Sequence, residues 1–152
     1  MIAAVGKPRD RLLAAAIGEY ETRAARYWPL VVLEVREAGG QGASPAAARA
    51  REGGRLLERV PTAALVFACD ERGDRLTSPQ FAALLSAARD RAQDVAFMIG
   101  GAFGLTDEVR AHASRAIQLA PWTLPHELAR LVLAEQLYRA GTIARGEPYH
   151  KA

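Results

Sequence analysis

The stretch Val95-Ala96-Phe97-Met98-Ile99-Gly100-Gly101-Ala102-Phe103-Gly104-Leu105-Thr106-Asp107-Glu108 decides the fold. Its opening run, Val95–Ile99, is apolar without alternation and too short for an ordinary helix, so it reads as a strand buried on both faces. The glycines that follow permit a tight turn and a close approach of backbone to whatever lies beyond it. Thr106 then supplies an N-cap hydroxyl, and Asp107 and Glu108 put carboxylates where the dipole of a helix favours negative charge. Strand, glycine-bearing turn and helix in that order form the building unit of α/β proteins.

The same grammar extends in both directions. Toward the C-terminus, Arg115–Leu119 reads as a last strand and 125–144 as one long helix with Pro125 near its start, followed by Arg145 and Gly146 as a stop. Toward the N-terminus, Ser78-Pro79 opens a helix to Arg91, and Ala63–Ala68 is a short buried strand that delivers Cys69-Asp70 at its carboxyl end. Ser44-Pro45 opens a helix to about Arg59, ended by Pro61, and the polar, glycine-bearing stretch 36–44 before it reads as a loop. Leu30–Val35 is a β-branched strand, 9–27 a helix carried by Leu12, Leu13, Ala16, Ile17 and Tyr20, and Ile2–Val5 a first strand ending at Gly6. The pattern predicts a single domain over 1–152: α/β, with a mainly parallel sheet covered by helices on both faces. The last helix has almost no wholly polar face, which predicts burial from more than one side and hence a homodimer.

Composition narrows the classes. The 152 residues are 50% hydrophobic and 24% charged, ordinary globular values that exclude a disordered chain. A lone cysteine, Cys69, excludes a disulfide framework and a multi-cysteine zinc site, and His112, His126 and His150 share no metal-ligand spacing, so no metal is expected. No apolar run spans a bilayer and the opening Met1–Val5 run is too short for a signal peptide; a soluble cytoplasmic protein is expected, with no membrane partner. Of the 20 basic residues 18 are Arg, with only Lys7 and Lys151 besides. Guanidinium forks suit phosphates, but 32 Ala and 13 Gly point equally to a GC-rich coding bias, and the formal net charge is only +3.

Ligands of open α/β sheets bind beyond the carboxyl ends of strands. Three such ends stand out: Cys69-Asp70-Glu71-Arg72-Gly73, Gly100–Leu105 and 119–125. None carries G-x-G-x-x-G, a phosphate loop or a G-x-S-x-G elbow. The glycines either admit a flat ligand or merely turn the chain, and the residues alone do not choose. Cys69 after a buried strand reads as a small core residue rather than a nucleophile, and Asp70-Glu71 as a polar loop rather than an acid–base pair.

Three segments in order carry a resemblance: Asp70-Glu71-Arg72-Gly73; Ile99-Gly100-Gly101-Ala102-Phe103-Gly104-Leu105; and Trp122-Thr123-Leu124-Pro125-His126-Glu127-Leu128-Ala129-Arg130 continuing through Glu135-Gln136-Leu137-Tyr138-Arg139-Ala140 to Gly146-Glu147-Pro148-Tyr149-His150-Lys151. Together they resemble the bacterial large-subunit ribosomal RNA pseudouridine N3-methyltransferases, a branch of the SPOUT (trefoil-knot) methyltransferases. The resemblance implies a homodimer with a C-terminal trefoil knot and S-adenosyl-L-methionine as methyl donor. It also implies N3 of a pseudouridine in 23S rRNA, on the assembled ribosome, as acceptor. Carried over by position, cofactor contacts fall at Cys69, Gly100, Leu119, Ala120, Pro121, Trp122, Thr123 and Leu124. The acceptor's imide proton needs a base or a positive field, for which His150 and Tyr149 on the tail and Arg139 on the last helix are the candidates, unless Tyr149-His150 only clamps RNA by stacking and phosphate contact. Ala120 stands where the family usually has Ser, and Phe103 where a smaller or polar residue is common. The rival readings are a non-catalytic ribosome-binding or assembly module of the same fold, needing no cofactor, and an unrelated α/β nucleotide-binding enzyme, with no use for the Pro148-Tyr149-His150 tail. Within the last helix, Glu135 is positioned to pair with Arg139 one turn on, and His126 reads as loop-ordering.

Overall fold

A computed structural model describes residues 1–38 and 44–149. Strand β1 (Ile2–Val5) is buried along its whole length because it lies inside the sheet. It is flanked by β2 (Val32–Val35) on one side and β4 (Val95–Ile99) on the other; β4 pairs with β3 (Leu65–Arg75), and β3 with the edge strand β5 (Arg115–Gln118). Every pairing is parallel. The intervening helices are α1 (Arg11–Ala24), α2 (Pro45–Leu57), α3 (Ser78–Asp90), α4 (Asp107–His112) and α5 (His126–Ala144).

Alternation along the strands sorts the core into two halves. Ile2, Ala4, Phe67, Phe97, Ile99 and Ile117 face a layer containing Ala24 of α1, Phe81 and Leu85 of α3, and Leu133 and Leu137 of α5. Ala3, Val5, Val66, Ala68, Ala96 and Met98 face Leu56 of α2 and Val109 of α4. The expected two-sided α/β sheet is therefore present. Full burial of each large apolar side chain in these layers contributes roughly 1.5–3 kcal/mol. The all-round apolarity of α5 has a local cause: the helix lies against α1, α3 and the sheet.

Local chemistry sets the boundaries, and it corrects several expectations. Asp10 caps α1, accepting from the Leu12 and Leu13 amides, so the helix starts two residues later than the apolar spacing predicts and ends at Ala24. Ser44 caps α2 as expected, and the middle of the preceding loop, 39–43, lies outside the described residues. At α3 the cap is Thr77 rather than Ser78, because Gln80 completes a reciprocal capping box with it. Thr106 caps α4 and receives the Val109 amide. Gly146 ends α5 at φ +65, with the Glu147 amide donating to the Thr142 carbonyl at 2.9 Å.

The largest departure is β3. The apolar run stops at Ala68, yet the strand continues to Arg75 with a shift of register between Cys69 and Asp74. The polar half is held by partners rather than by burial. Arg115 donates to Asp74 at 2.7 Å and Arg75 to Gln118 at 2.7 Å, while Gln118 donates to the Glu71 carbonyl at 2.7 Å. Hydropathy does not register such bonds. Gly73 sits where this extension meets β5: a Cβ there would lie 2.5 Å from the backbone nitrogen and carbonyl carbon of Ile117. Because the obstructing atoms are main chain on both sides, Gly73→Ala must separate β3 from β5. We expect it to destabilise the protein by about 3 kcal/mol or more, read as a lowered denaturant midpoint at unchanged slope; a midpoint equal to that of the parent would refute the close crossing.

Candidate active site

Sheet order explains where the site forms. The β4–α4–β5 connection passes over β3, so the carboxyl ends of β3 and β4 and the segment leaving β5 converge. They enclose a cavity of about 350 Å³, a size suited to a small organic ligand. Its walls contain Cys69 from β3, Gly100 after β4, and Leu119, Ala120, Trp122, Thr123 and Leu124 between β5 and α5. Pro121, from the same run, is exposed and does not line the cavity.

The glycine loop is shaped by close packing. A Cβ on Gly100 would come within 2.7 Å of the backbone of Gly104, and one on Gly101 within 2.7 Å of Glu52 Oε2. The Gly104 amide donates to the Gly101 carbonyl at 3.0 Å, closing a turn with Ala102 and Phe103 at its tip. Opposite, Thr123 donates to Glu71 at 2.6 Å and pins the segment after β5 against the extension of β3.

The charged side chains of the wall are largely committed to one another. Arg110 of α4 donates to Asp70 at 2.9 Å and also binds Asp107. Arg72 donates its amide to Asp70 at 3.0 Å. Burial disfavours the Asp70 carboxylate, but the Arg72 amide and the Arg110 guanidinium outweigh it and hold its carboxyl below its ordinary value. Asp70 is thus a fixed anion, and the Asp70-Glu71 pair is no acid–base couple. Burial, with the Asp70 charge beside it, pushes the Cys69 thiol up to about 12, so it stays protonated and is not a nucleophile. Among the described residues no group of three or more His, Cys, Asp or Glu side chains is placed to hold a metal ion.

Three residues of this neighbourhood carry no signal in the linear pattern. Arg49, on α2, lines the cavity although it lies 20 positions before Cys69, the next lining residue in the chain. Glu52, one turn along the same helix, is only 4% exposed; its Oε1 accepts the Ala38 amide at 2.9 Å and its Oε2 has no partner among the described residues. His126, read as loop-ordering, also lines the cavity, with a buried Nε2 lacking a hydrogen-bond partner among the described residues.

The remaining candidates sit elsewhere. Arg139 donates to Glu135 at 2.5 Å and lies over the Tyr149 ring at 4.9 Å; Tyr149 donates to the same carboxylate at 3.1 Å and packs against Tyr138. This confirms the Glu135–Arg139 pair, but neither Arg139 nor Tyr149 lines the cavity. Burial first, then hydrogen bonding to Tyr20 and the Glu135 charge, push the Tyr149 phenol well above its usual value. His150 lies outside the described residues.

The family model described as "Predicted SPOUT methyltransferase" matches residues 1–150. The chain is 57% identical over 147 residues to the ribosomal RNA large subunit methyltransferase H of Gemmatimonas aurantiaca, covering 97% of this chain and 96% of that one. It is 48% identical to the protein of the same name from Geobacter sulfurreducens (96% and 95% covered). To that from Anaeromyxobacter dehalogenans it is 49% identical (99% and 97%).

Because the Asp70 carboxyl titrates lower in the folded chain than in the unfolded one, its stabilisation is complete above the unfolded value near ~4 and is lost as pH falls through the folded value. The parent is therefore expected to lose stability more steeply below about pH 4 than Asp70→Asn. Denaturant midpoints of the two should converge on acidification, and parallel acid limbs would contradict the Arg110–Asp70 linkage.

Proposed function

The chain belongs to the SPOUT methyltransferases, and we propose that it moves a methyl group from S-adenosyl-L-methionine to N3 of a pseudouridine in large-subunit ribosomal RNA. The observation that carries this reading is the convergence of the three resembling segments on one cavity, in a chain matched almost end to end by proteins named for rRNA methylation.

The cavity fits the donor. Backbone of Gly100 and of 119–124 offers amide and carbonyl groups to an adenine edge without intervening side chains at the glycine loop, and Leu119 and Leu124 offer apolar surface. Ala120 brings no hydroxyl, so its contact is through backbone. His126, at the start of α5, adds a polar ring to the wall, its buried Nε2 4.0 Å from the Glu127 carboxylate. S-adenosylmethionine, when bound, supplies an electrophilic methyl group on sulfur; the protein binds, orients and excludes water.

The acceptor N3 carries an imide proton that must leave. Tyr149 keeps its own proton and donates to Glu135, so it orients rather than accepts. Arg139, its charge balanced by Glu135, lies over the Tyr149 ring and steadies the tail that meets the acceptor. His150 is the proton acceptor in this scheme. From His126 to Arg139 the helix advances 13 residues, about 20 Å at its ordinary rise. One chain's tail therefore stands away from its own cavity, which supports a homodimer in which each tail serves the other's donor site. The whole chain acts as one domain in this reading, with a C-terminal trefoil knot and a cytoplasmic location beside its substrate, the assembled ribosome. A net charge of +3 per chain is modest for a stand-alone RNA binder, so recognition rests on ribosome shape more than on electrostatics.

Two measurements test the proposal. Mass spectrometry of rRNA nucleosides from a deletion strain should show loss of N3-methylpseudouridine; unchanged modification would refute it. Removing 149–152 should abolish methyl transfer while calorimetry still detects S-adenosylmethionine binding. Loss of both would contradict the division between tail and cavity, and absence of binding in the intact chain would favour a non-catalytic assembly module.

A further inference from the structure

Few large apolar side chains of this protein face water, and two of them, Trp122 at 75% and Phe103 at 46% relative exposure, stand at the same cavity. Each is presented by a rigid support. Phe103 sits at the tip of the turn closed between Gly101 and Gly104, with Gly104 at φ +72. Trp122 precedes Thr123, whose hydroxyl anchors the segment to Glu71. Neither ring belongs to the aromatic cluster of Tyr20, Tyr27, Tyr138 and Tyr149. The chain's other tryptophan, Trp28, is satisfied internally by donating to the Leu137 carbonyl at 2.8 Å.

Two exposed rings at one mouth are costly in water unless something flat covers them. The charge nearby says what kind of ligand this is. Arg49, Arg72 and Arg110 line the same cavity with Asp70 and Glu71; Arg72 and Arg110 are spent on Asp70, whereas Arg49 forms no ion pair among the described residues. A planar π-surface beside an uncommitted guanidinium suits an unstacked nucleobase with its phosphodiester.

We propose that Phe103 and Trp122 stack on the acceptor nucleotide, holding the unstacked pyrimidine at the mouth of the donor cavity while Arg49 takes a flanking phosphate. The inference rests on the rRNA reading above and deepens it. It divides the 119–124 run: its backbone faces the methyl donor and the indole of Trp122 faces the acceptor. This also gives a use to Phe103, the aromatic that departs from the common family pattern.

The test uses the full-length protein and ribosomes purified from the deletion strain. For Trp122→Ala and Phe103→Ala, KM for ribosomes should rise about tenfold, while the calorimetric Kd for S-adenosylmethionine stays that of the parent. Trp122→Phe should recover most of the loss, because any π-face stacks. Indole fluorescence should be quenched on ribosome binding in the parent and not in Trp122→Phe, which retains only Trp28. An unchanged KM would overturn the proposal, as would a donor Kd weakened in step with KM, since the rings would then belong to the donor site. Dissociation of the Trp122→Ala protein in sedimentation would overturn it in favour of a face covered by a second copy. If the parent transfers no methyl group to these ribosomes, the rRNA reading itself falls, and this proposal with it.

Discussion

Backbone meets backbone at Gly73, where the polar extension of β3 crosses β5, and the working end of the molecule hangs on that contact. The sheet order sends the chain from β4 over β3 to the edge, so the segment after β5 must return across the extension it has just passed. Without a side chain at 73 the two strands close to van der Waals distance, and the bonds of Glu71, Asp74 and Arg75 to Thr123, Arg115 and Gln118 become possible. Those bonds fix residues 119–124 as one wall of the cavity. The glycine loop forms the facing wall by the same device, main chain packed on main chain at Gly100 and Gly104. At the glycines, walls built this way bring main chain itself up to the cavity.

A second constraint fixes the direction of α5. Arg130 is buried and donates to Glu21 of α1 at 2.8 Å and to Glu34 of β2 at 2.7 Å. Such a group gains little net stability over an apolar replacement, but removing both carboxylates would leave a charge stranded in the interior. Its consequence is geometric: α5 is locked to α1 and the sheet edge, so its start is held at the cavity and its far end at the tyrosine cluster. There Tyr27 binds Glu147, and Glu135 gathers both Arg139 and Tyr149, so the tail leaves the helix in one defined direction. The first turn of the helix thus faces the cavity, while Tyr149 is held against its middle, at Glu135.

How much of this was legible depended on whether the signal was local. Element order, both helix caps at Ser44 and Thr106, the stop at Gly146, and the ends of β4 and β5 could all be read, because each is written within a few neighbouring residues. The end of β3 could not, since residues 70–75 are strand through partners more than 40 positions away. Thr77 displaced Ser78 as a cap because Gln80 reaches back to it, a competition that a Ser-Pro signal alone conceals. Arg49, Glu52 and the cavity-facing role of His126 were invisible for the same reason: the wall is assembled by topology. The tail residues were found only through resemblance, as nothing in their spacing points to chemistry.

The arginine excess can now be judged by position instead of by number. Arg110 is bound to Asp70 and Asp107, Arg130 to Glu21 and Glu34, and Arg139 to Glu135, so the best-placed guanidinium groups hold the protein's own carboxylates. Arg130 in particular, buried as it is, serves the fold and does not face RNA. Arg145 lies over the Tyr27 ring and closes the tyrosine cluster. An arginine already holding a carboxylate has little left to offer a phosphate, because moving it would strand its partner. Of the arginines that line the cavity, Arg72 and Arg110 hold Asp70, whereas Arg49 forms no ion pair among the described residues, and the exposed rings of Phe103 and Trp122 line the same cavity.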